Sequence, residues 1–119
     1  MNPVTGLALG RIAIGATALA SPDLAGKLFR LDVARNPQLP YMSRMFGSRE
    51  IALGAVTLAS KGAARRKLLA LGIAVDGADA FAGYDAMRTG SLSQSTGMFL
   101  TAPAVGAVLA GAIGLVTER

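Results

Sequence analysis

Four apolar stretches, joined by short polar or basic connections, dominate the hydrophobic pattern of this chain. The pattern predicts four membrane-spanning helices, at about residues 3–21, 42–60, 67–87 and 90–117. The last stretch has no charged side chain from Thr89 to Thr117 and exceeds the ~20 residues that a spanning helix needs. The other three are interrupted by charged residues. The expected fold is all-α: a four-helix transmembrane bundle that forms one integral membrane domain over residues 1–119.

A short helix is predicted between the first two spans, at about residues 22–34. Ser21 suits an N-cap and Pro22 suits a first helical turn. Leucines then recur at helical spacing with basic residues on the opposite side, as Leu24, Leu28 and Leu31 against Lys27 and Arg30. This pattern is typical of an amphipathic helix that lies at the membrane surface. A soluble connecting helix is the alternative interpretation.

Two segments of the chain repeat each other. IAIGATALAS (residues 12–21) and IALGAVTLAS (residues 51–60) match at seven of ten positions without gaps. The first segment also fits the apolar region of a signal peptide, because the Ala-Leu-Ala at residues 18–20 resembles a cleavage site. A cleavable signal peptide is not expected to be repeated further along the chain, so we interpret both segments as spanning helices. The same alignment places Arg11 opposite Glu50, which is a reversal of charge.

Small residues form stripes on two of the predicted helices. On the fourth helix they recur every four residues, at Ala102, Gly106, Ala110 and Gly114; on the first they are Gly6 and Gly10. Such stripes are typical of faces where membrane helices approach closely. We therefore expect packing of these faces against a neighbouring helix, and they also suggest a homo-oligomer. Pro103 is expected to kink the fourth helix.

Composition narrows the possible chemistry. The 119 residues include no cysteine and no histidine, which excludes disulfides, thiol chemistry and histidine-based triads and disfavours zinc. We therefore expect no metal and no cofactor.

The net charge of +5 is concentrated in short clusters such as Lys61 and Arg65–Lys67, without interleaved aromatic residues. This placement favours anionic lipid headgroups over nucleic acid as the partner. We expect a bacterial plasma membrane with both termini in the cytoplasm.

Five charged side chains inside the first three spans form the candidate site: Arg11, Arg49, Glu50, Asp76 and Asp79. An ionised residue at the bilayer centre costs about 2.5–3.5 kcal/mol on insertion scales, so these charges must compensate one another. Depths estimated from a rise of ~1.5 Å per residue let Arg11 approach Asp76, and Arg49 approach Asp79 or Glu50. The sequence therefore predicts a layer of charge inside the bundle.

Three interpretations of this layer remain open. It holds the helices in order through ion pairs alone, it forms a polar site for a proton, a cation or the headgroup of an amphiphile, or the chain is a soluble bundle in which these charges are exposed. Asp76 and Asp79 share a helix face, which suits a general acid or a proton relay. The preferred function is a non-enzymatic bundle that binds a lipophilic small molecule or assembles with a partner. The alternatives are an intramembrane enzyme acting on a lipid or isoprenoid, and a proton- or cation-coupled transporter.

Two motifs and the buried arginine of the first helix resemble a family of small, mostly actinobacterial membrane proteins of unknown function. The motifs are RMFGSREIALG (residues 44–54) and AVDGADA (residues 74–80), within a resemblance that spans about residues 7–85. The family often has Asp at the position of Glu50. The resemblance implies a four-helix integral membrane domain and adds Arg44 to the candidate binding residues. It implies no established activity.

Overall fold

The computed structural model describes residues 2–117, and the regular secondary structure of this part of the chain is entirely helical. Five helices follow one another: α1 (Pro3–Ala20), α2 (Pro22–Leu28), α3 (Leu39–Ala59), α4 (Gly62–Thr89) and α5 (Gln94–Thr117). The prediction of an all-α fold is confirmed. The four long helices lie within a few residues of the predicted spans, and Pro103 stands inside α5 without ending it.

Local chemistry explains where the helices begin and end. Asn2 Oδ1 accepts a hydrogen bond of 2.7 Å from the backbone N–H of Val4, so Asn2 caps α1 ahead of Pro3. Helix α4 ends at Thr89, and the φ of 83° at the next residue, Gly90, is the left-handed conformation that glycine adopts without steric penalty. The chain then turns back over residues 90–93 into α5.

The connection between α1 and α3 differs from the prediction. Helix α2 ends at Leu28 instead of continuing to about residue 34, because Arg30 adopts a left-handed backbone with φ of 60°. The guanidinium of Arg30 lies 4.5 Å from the centroid of the Phe99 ring, so this turn packs against the start of α5. Leu24 and Leu28 are exposed, which leaves the leucine stripe of α2 on the outside of the molecule.

The start of α4 also differs from the prediction. Arg65 and Arg66, which fall between the second and third predicted spans, lie in the first turns of the helix, which begins at Gly62. Arg66 Nη1 donates a hydrogen bond of 2.6 Å to the backbone carbonyl of Leu115, near the end of α5. A carbonyl in the last turn of a helix has no partner within that helix, and a basic side chain satisfies it.

The four long helices form two antiparallel pairs. The most extensive contacts are between α1 and α3 and between α4 and α5. The pairs meet at one end, where Gly114 of α5 lies against Val4 of α1 and Leu69 of α4. They meet again near the middle, at the charged residues. Elsewhere the two pairs separate, and this separation creates the cavity described below.

The buried residues of α1 and α3 occupy matched positions. On α1 they are Val4, Ala8, Arg11, Gly15 and Ala18, and on α3 they are Ser43, Gly47, Glu50, Gly54 and Thr57. Each residue of the second set follows its counterpart by the 39 residues that separate Arg11 from Glu50. Contacts are exchanged in the same way: Gly15 lies against Gly47 and Ile51, whereas Gly54 lies against Ala8 and Ile12. The α1–α3 seam therefore has a local two-fold relation, and the sequence repeat runs along it.

Among residues 2–117, two helices are long and apolar enough to cross a membrane. They are α1 and α5, with mean hydropathies of 1.4 and 2.0 in their most apolar windows. Only 11% of the residues in the α5 window are buried inside the molecule. Helices α3 and α4 carry more charged side chains and fall outside this class. Two of the four predicted spans therefore have the length and composition of a membrane helix.

Candidate functional site

Arg11 connects three helices through its guanidinium group. Its Nη1 donates a hydrogen bond of 2.8 Å to Glu50 Oε2 of α3 and one of 3.0 Å to Asp76 Oδ1 of α4. Its Nη2 donates to the other oxygen of Asp76. The Arg11–Asp76 pair is thus bidentate, the strong geometry for arginine and a carboxylate. It was predicted from the depths of the two residues and is confirmed.

Arg49 repeats this arrangement beside the first arginine. Its Nη2 donates hydrogen bonds of 2.9 Å to Glu50 Oε1 and 2.7 Å to Asp79 Oδ2. Its Nη1 donates a bond of 3.2 Å to Asp79 Oδ1. Both predicted partners of Arg49 are confirmed. Glu50 accepts from both arginines, so it links the two ion pairs into one network, which we call the charge layer.

The charge layer has a closed side and an open side. The side chains of Arg11, Glu50 and Asp76 are only 8%, 6% and 6% exposed. Those of Arg49 and Asp79 are 38% and 34% exposed. Packing explains the closed side, since Gly72 of α4 lies directly against the Arg11 guanidinium, and a Cβ there would be 3.0 Å from Arg11 Nη2. The open side faces the space between the helix pairs.

That space is a cavity of about 960 Å³, which we call the interhelical cavity. All five helices contribute to its wall, and the wall is mainly apolar. The charge layer forms one part of the wall, and small residues form another, namely Gly6 and Gly10 of α1 with Gly106, Ala107 and Ala110 of α5. A volume of this size is typical of sites that take a small organic molecule. A second cavity beside Arg11, between Leu7 and Leu53, measures about 10 Å³ and has room for a single water at most.

The small-residue stripes do not pack as predicted. A Cβ added at Gly10 or at Gly106 would meet no atom within 4 Å. The stripe of α5 is therefore not a close-packing face within the chain, except at Gly114. The close contacts of α5 lie at other glycines, Gly97 against Met87 and Gly111 against Ile73. Assembly of two copies through these faces stays a prediction.

Arg44 lies away from the charge layer. It is exposed on α3, it does not line the interhelical cavity, and within the described chain it makes no hydrogen bond or ion pair. The motif that suggested Arg44 therefore contributes Arg49 and Glu50 to the site, and Gly47 and Gly54 to the α1–α3 seam. Nothing in the structure places Arg44 near the other candidate binding residues.

The three carboxylates lie close together, with one oxygen of each within 4.8 Å of the others. Such a group has the donor atoms of a site for a hard cation. Here, however, both oxygens of Glu50, Asp76 and Asp79 accept a hydrogen bond from Arg11 or Arg49. The two guanidinium groups therefore engage the oxygens that would bind a metal ion. The same pairing occupies the oxygens of Asp76 and Asp79, the candidate general acids.

Sequence reasoning missed two aromatic residues at the open side. The guanidinium carbon of Arg49 lies 5.1 Å from the centroid of the Phe46 ring. Phe29, just beyond α2, meets Phe46 edge to face with centroids 6.3 Å apart. Both rings line the interhelical cavity. The spacing of three residues between Phe46 and Arg49 was the available signal, since side chains one helical turn apart share a face.

Comparison with protein-family models, with curated proteins and with solved structures finds no match for this chain. The resemblance to a family of small membrane proteins stays a prediction. The charge layer and the interhelical cavity are therefore the features of this chain that indicate a function.

Proposed function

We propose that this protein is a small integral membrane protein whose four long helices span the bilayer, and that it binds a lipophilic molecule in the interhelical cavity without transforming it. The observation that carries this proposal is an apolar cavity of about 960 Å³ with a charge layer in its wall. An amphiphile matches such a site, because its chain fits the apolar part and its polar end reaches the charges.

The outer surface supports four spanning helices. Each long helix exposes large apolar side chains, as at Leu9, Val56, Leu71 and Leu109. Exposure of so many large apolar side chains is unusual for a soluble monomer and typical of contact with lipid or a partner. The charged residues of α3 and α4 that lower their hydropathy are partly satisfied inside, in the charge layer. Charge pairing between helices is how membrane proteins accommodate ionised residues at depth.

Charge at the two ends of the bundle favours one orientation. The basic start of α4 lies at the same end as the start of α1 and the end of α5. Lysine and arginine beside spans favour the cytoplasmic side. We propose a bacterial plasma membrane with this end in the cytoplasm, and with Lys27 and Arg35 at the other surface.

Binding is favoured over catalysis because the charge layer is satisfied internally. Both oxygens of each carboxylate accept guanidinium hydrogen bonds. A general acid needs its proton within reach of the substrate. Here each carboxyl oxygen of Asp79 accepts a hydrogen bond from Arg49, an arrangement that suits a carboxylate and not a proton donor.

Filling the cavity tests the proposed function. Gly10→Leu and Gly106→Leu each place a side chain into open space in the cavity wall. Gly77→Leu is the matched control, because a Cβ at Gly77 would also meet nothing within 4 Å, whereas Gly77 does not line the cavity. The protein is reconstituted in lipid nanodiscs and irradiated with a long-chain alcohol that carries a photoactivatable diazirine. Labelled residues are mapped by mass spectrometry.

We expect labels on residues of the cavity wall in the wild type and in Gly77→Leu, and about tenfold fewer in Gly10→Leu and Gly106→Leu. Labelling confined to the outer surface in the wild type would refute binding in the cavity. Recovery of the protein in the soluble fraction without detergent would refute the membrane assignment.

A further inference from the structure

The charge layer is not electrically balanced. It contains two arginines, Arg11 and Arg49, and three carboxylates, Glu50, Asp76 and Asp79, so its formal charge is −1 when all five groups are ionised. Among residues 2–117, no other charged side chain lines the interhelical cavity. An unbalanced charge at this depth is costly unless a positive charge joins it.

The excess negative charge is accessible from one direction. Arg11, Glu50 and Asp76 are enclosed by α1, α3 and α4, whereas about a third of the Asp79 side chain is exposed, 34%. Arg49 divides its hydrogen bonds between Asp79 and Glu50. Asp79 is therefore the carboxylate that a group inside the cavity reaches first, and Arg49 compensates its charge only in part.

Arg49 is poorly placed to hold an anionic headgroup. Both of its terminal nitrogens already donate to carboxylates. An anion would have to compete with Asp79 for these donors, and it would raise the negative charge of the layer. A cation needs none of these donors, and it lowers the net negative charge of the layer. The aromatic rings of Phe46 and Phe29 also line the cavity beside Arg49. Aromatic rings favour ammonium groups.

We propose that the ligand of the interhelical cavity is a cationic amphiphile: an alkylammonium whose head lies against Asp79 and whose chain occupies the apolar part of the cavity. This proposal rests on the proposed function and specifies its ligand class. Charge complementarity sets the preference, since the ammonium brings the layer to neutrality. The other charged groups facing the head are Arg49 and Glu50 of α3, with Arg11 of α1 and Asp76 of α4 behind them; α2 and α5 contribute no charged group to the cavity.

The experiment compares three probes of equal chain length. Each carries the same diazirine on its chain, and the polar ends are a trimethylammonium, an alcohol and a carboxylate. The protein is held in nanodiscs of a zwitterionic phospholipid, and labelling of the cavity wall is normalised to the amount of each probe in the bilayer. We expect the ammonium to label the wild type about tenfold more than the carboxylate.

Asp79→Asn is the decisive variant, because it balances the layer at two charges of each sign. We expect the preference for the ammonium to fall to about unity while the alcohol still labels the cavity. Asp79→Glu keeps the charge and should keep the preference. Asp85→Asn is the matched control, since Asp85 lies on the same helix and pairs with Arg88 but does not line the cavity. Thermal melting establishes that each variant is folded.

The outcomes separate the two proposals. Equal labelling of the wild-type cavity by all three probes would overturn the cationic preference and leave the binding function standing. An undiminished preference in Asp79→Asn would also overturn it. If no probe labels the cavity, both proposals fail. Preferential labelling by the carboxylate would assign the site to an anionic amphiphile and refute the inference.

Discussion

Helix α1 has glycines on two faces, and only one of these faces packs closely against a neighbouring helix. At the α1–α3 seam, a Cβ on Gly15 would lie 2.6 Å from the carbonyl oxygen of Gly47, so the two backbones are in contact. On the cavity side, a Cβ on Gly10 would meet nothing within 4 Å, and the same is true of Gly106 across the cavity. A stripe of small residues permits close approach but does not cause it. Whether two helices come into contact depends also on the surface that faces the small residues.

At the seam, α1 faces a complementary surface on α3, whereas at the cavity wall it faces no complementary surface. Every buried position of α1 has a buried counterpart on α3, and the Arg11–Glu50 ion pair fixes the register between them. Between α1 and α5 no comparable matched set exists among the described residues, and no ion pair joins the two helices. The difference leaves the seam closed and the cavity open.

Removing the charge at the seam should have the largest effect. Arg11→Met leaves Glu50 with one arginine and Asp76 with none, and both carboxylates stay buried. Breaking a buried ion pair from one side costs about 3–5 kcal/mol. We expect loss of that amount in the free energy of unfolding, measured by denaturant titration in detergent micelles. If Arg11→Met unfolds with the wild-type midpoint, the ion pairs do not secure the seam.

A double variant separates two costs: the loss of the ion pair and the burial of a carboxylate without a partner. Arg11→Met with Asp76→Leu removes both partners, and apolar groups of similar size replace them. We expect it to recover at least half of the stability that Arg11→Met loses, because the uncompensated carboxylate is gone.

Forcing the seam apart with a bulky side chain should have the next largest effect. In Gly54→Leu the new Cβ would lie 2.6 Å from the carbonyl oxygen of Ala8 and 2.7 Å from Cγ1 of Ile12, so the backbones must separate. Overpacking of this kind costs about 1–3 kcal/mol or more. The thermal midpoint of the helical circular dichroism should fall accordingly. A midpoint equal to that of Gly77→Leu would mean that the seam is looser than described.

The same change on the open face should have the smallest effect. Gly106→Leu introduces the same side chain, but into open space. Leucine favours a helix over glycine by about 0.8 kcal/mol, so the thermal midpoint should stay equal or rise slightly. A large fall would show that α5 packs closely there, and it would remove the evidence for the cavity.

Much of the fold and part of the site could be predicted from the sequence. Hydrophobic periodicity located the four long helices, and the rise per residue placed Arg11 near Asp76 and Arg49 near Asp79. These inferences succeed because helix geometry is fixed and because buried charges need partners. The repeat gave a further signal, since Arg11 and Glu50 occupy matched positions and form an ion pair.

Other features depend on contacts that the pattern does not encode. Helix α2 is short because Arg30 takes a left-handed backbone beside Phe99, a tertiary effect that leucine spacing does not reveal. The sequence pattern assigned Gly10 and Gly106 to close-packed faces instead of the cavity wall, because they have the same local pattern as glycines that pack closely. Arg44 belongs to the same motif as Arg49, and the helix turns it outward.

The matched positions of α1 and α3 also determine which partner each helix accepts. Two copies of α1 joined by the same two-fold relation would bring Arg11 against Arg11, and two copies of α3 would bring Glu50 against Glu50. Like charges pressed together in a buried seam repel strongly. Only the pairing of α1 with α3 brings opposite charges together at the local two-fold axis of the seam. The opposite charges of Arg11 and Glu50 therefore favour pairing of α1 with α3. They disfavour pairing of α1 with α1, or of α3 with α3, between two copies of the chain.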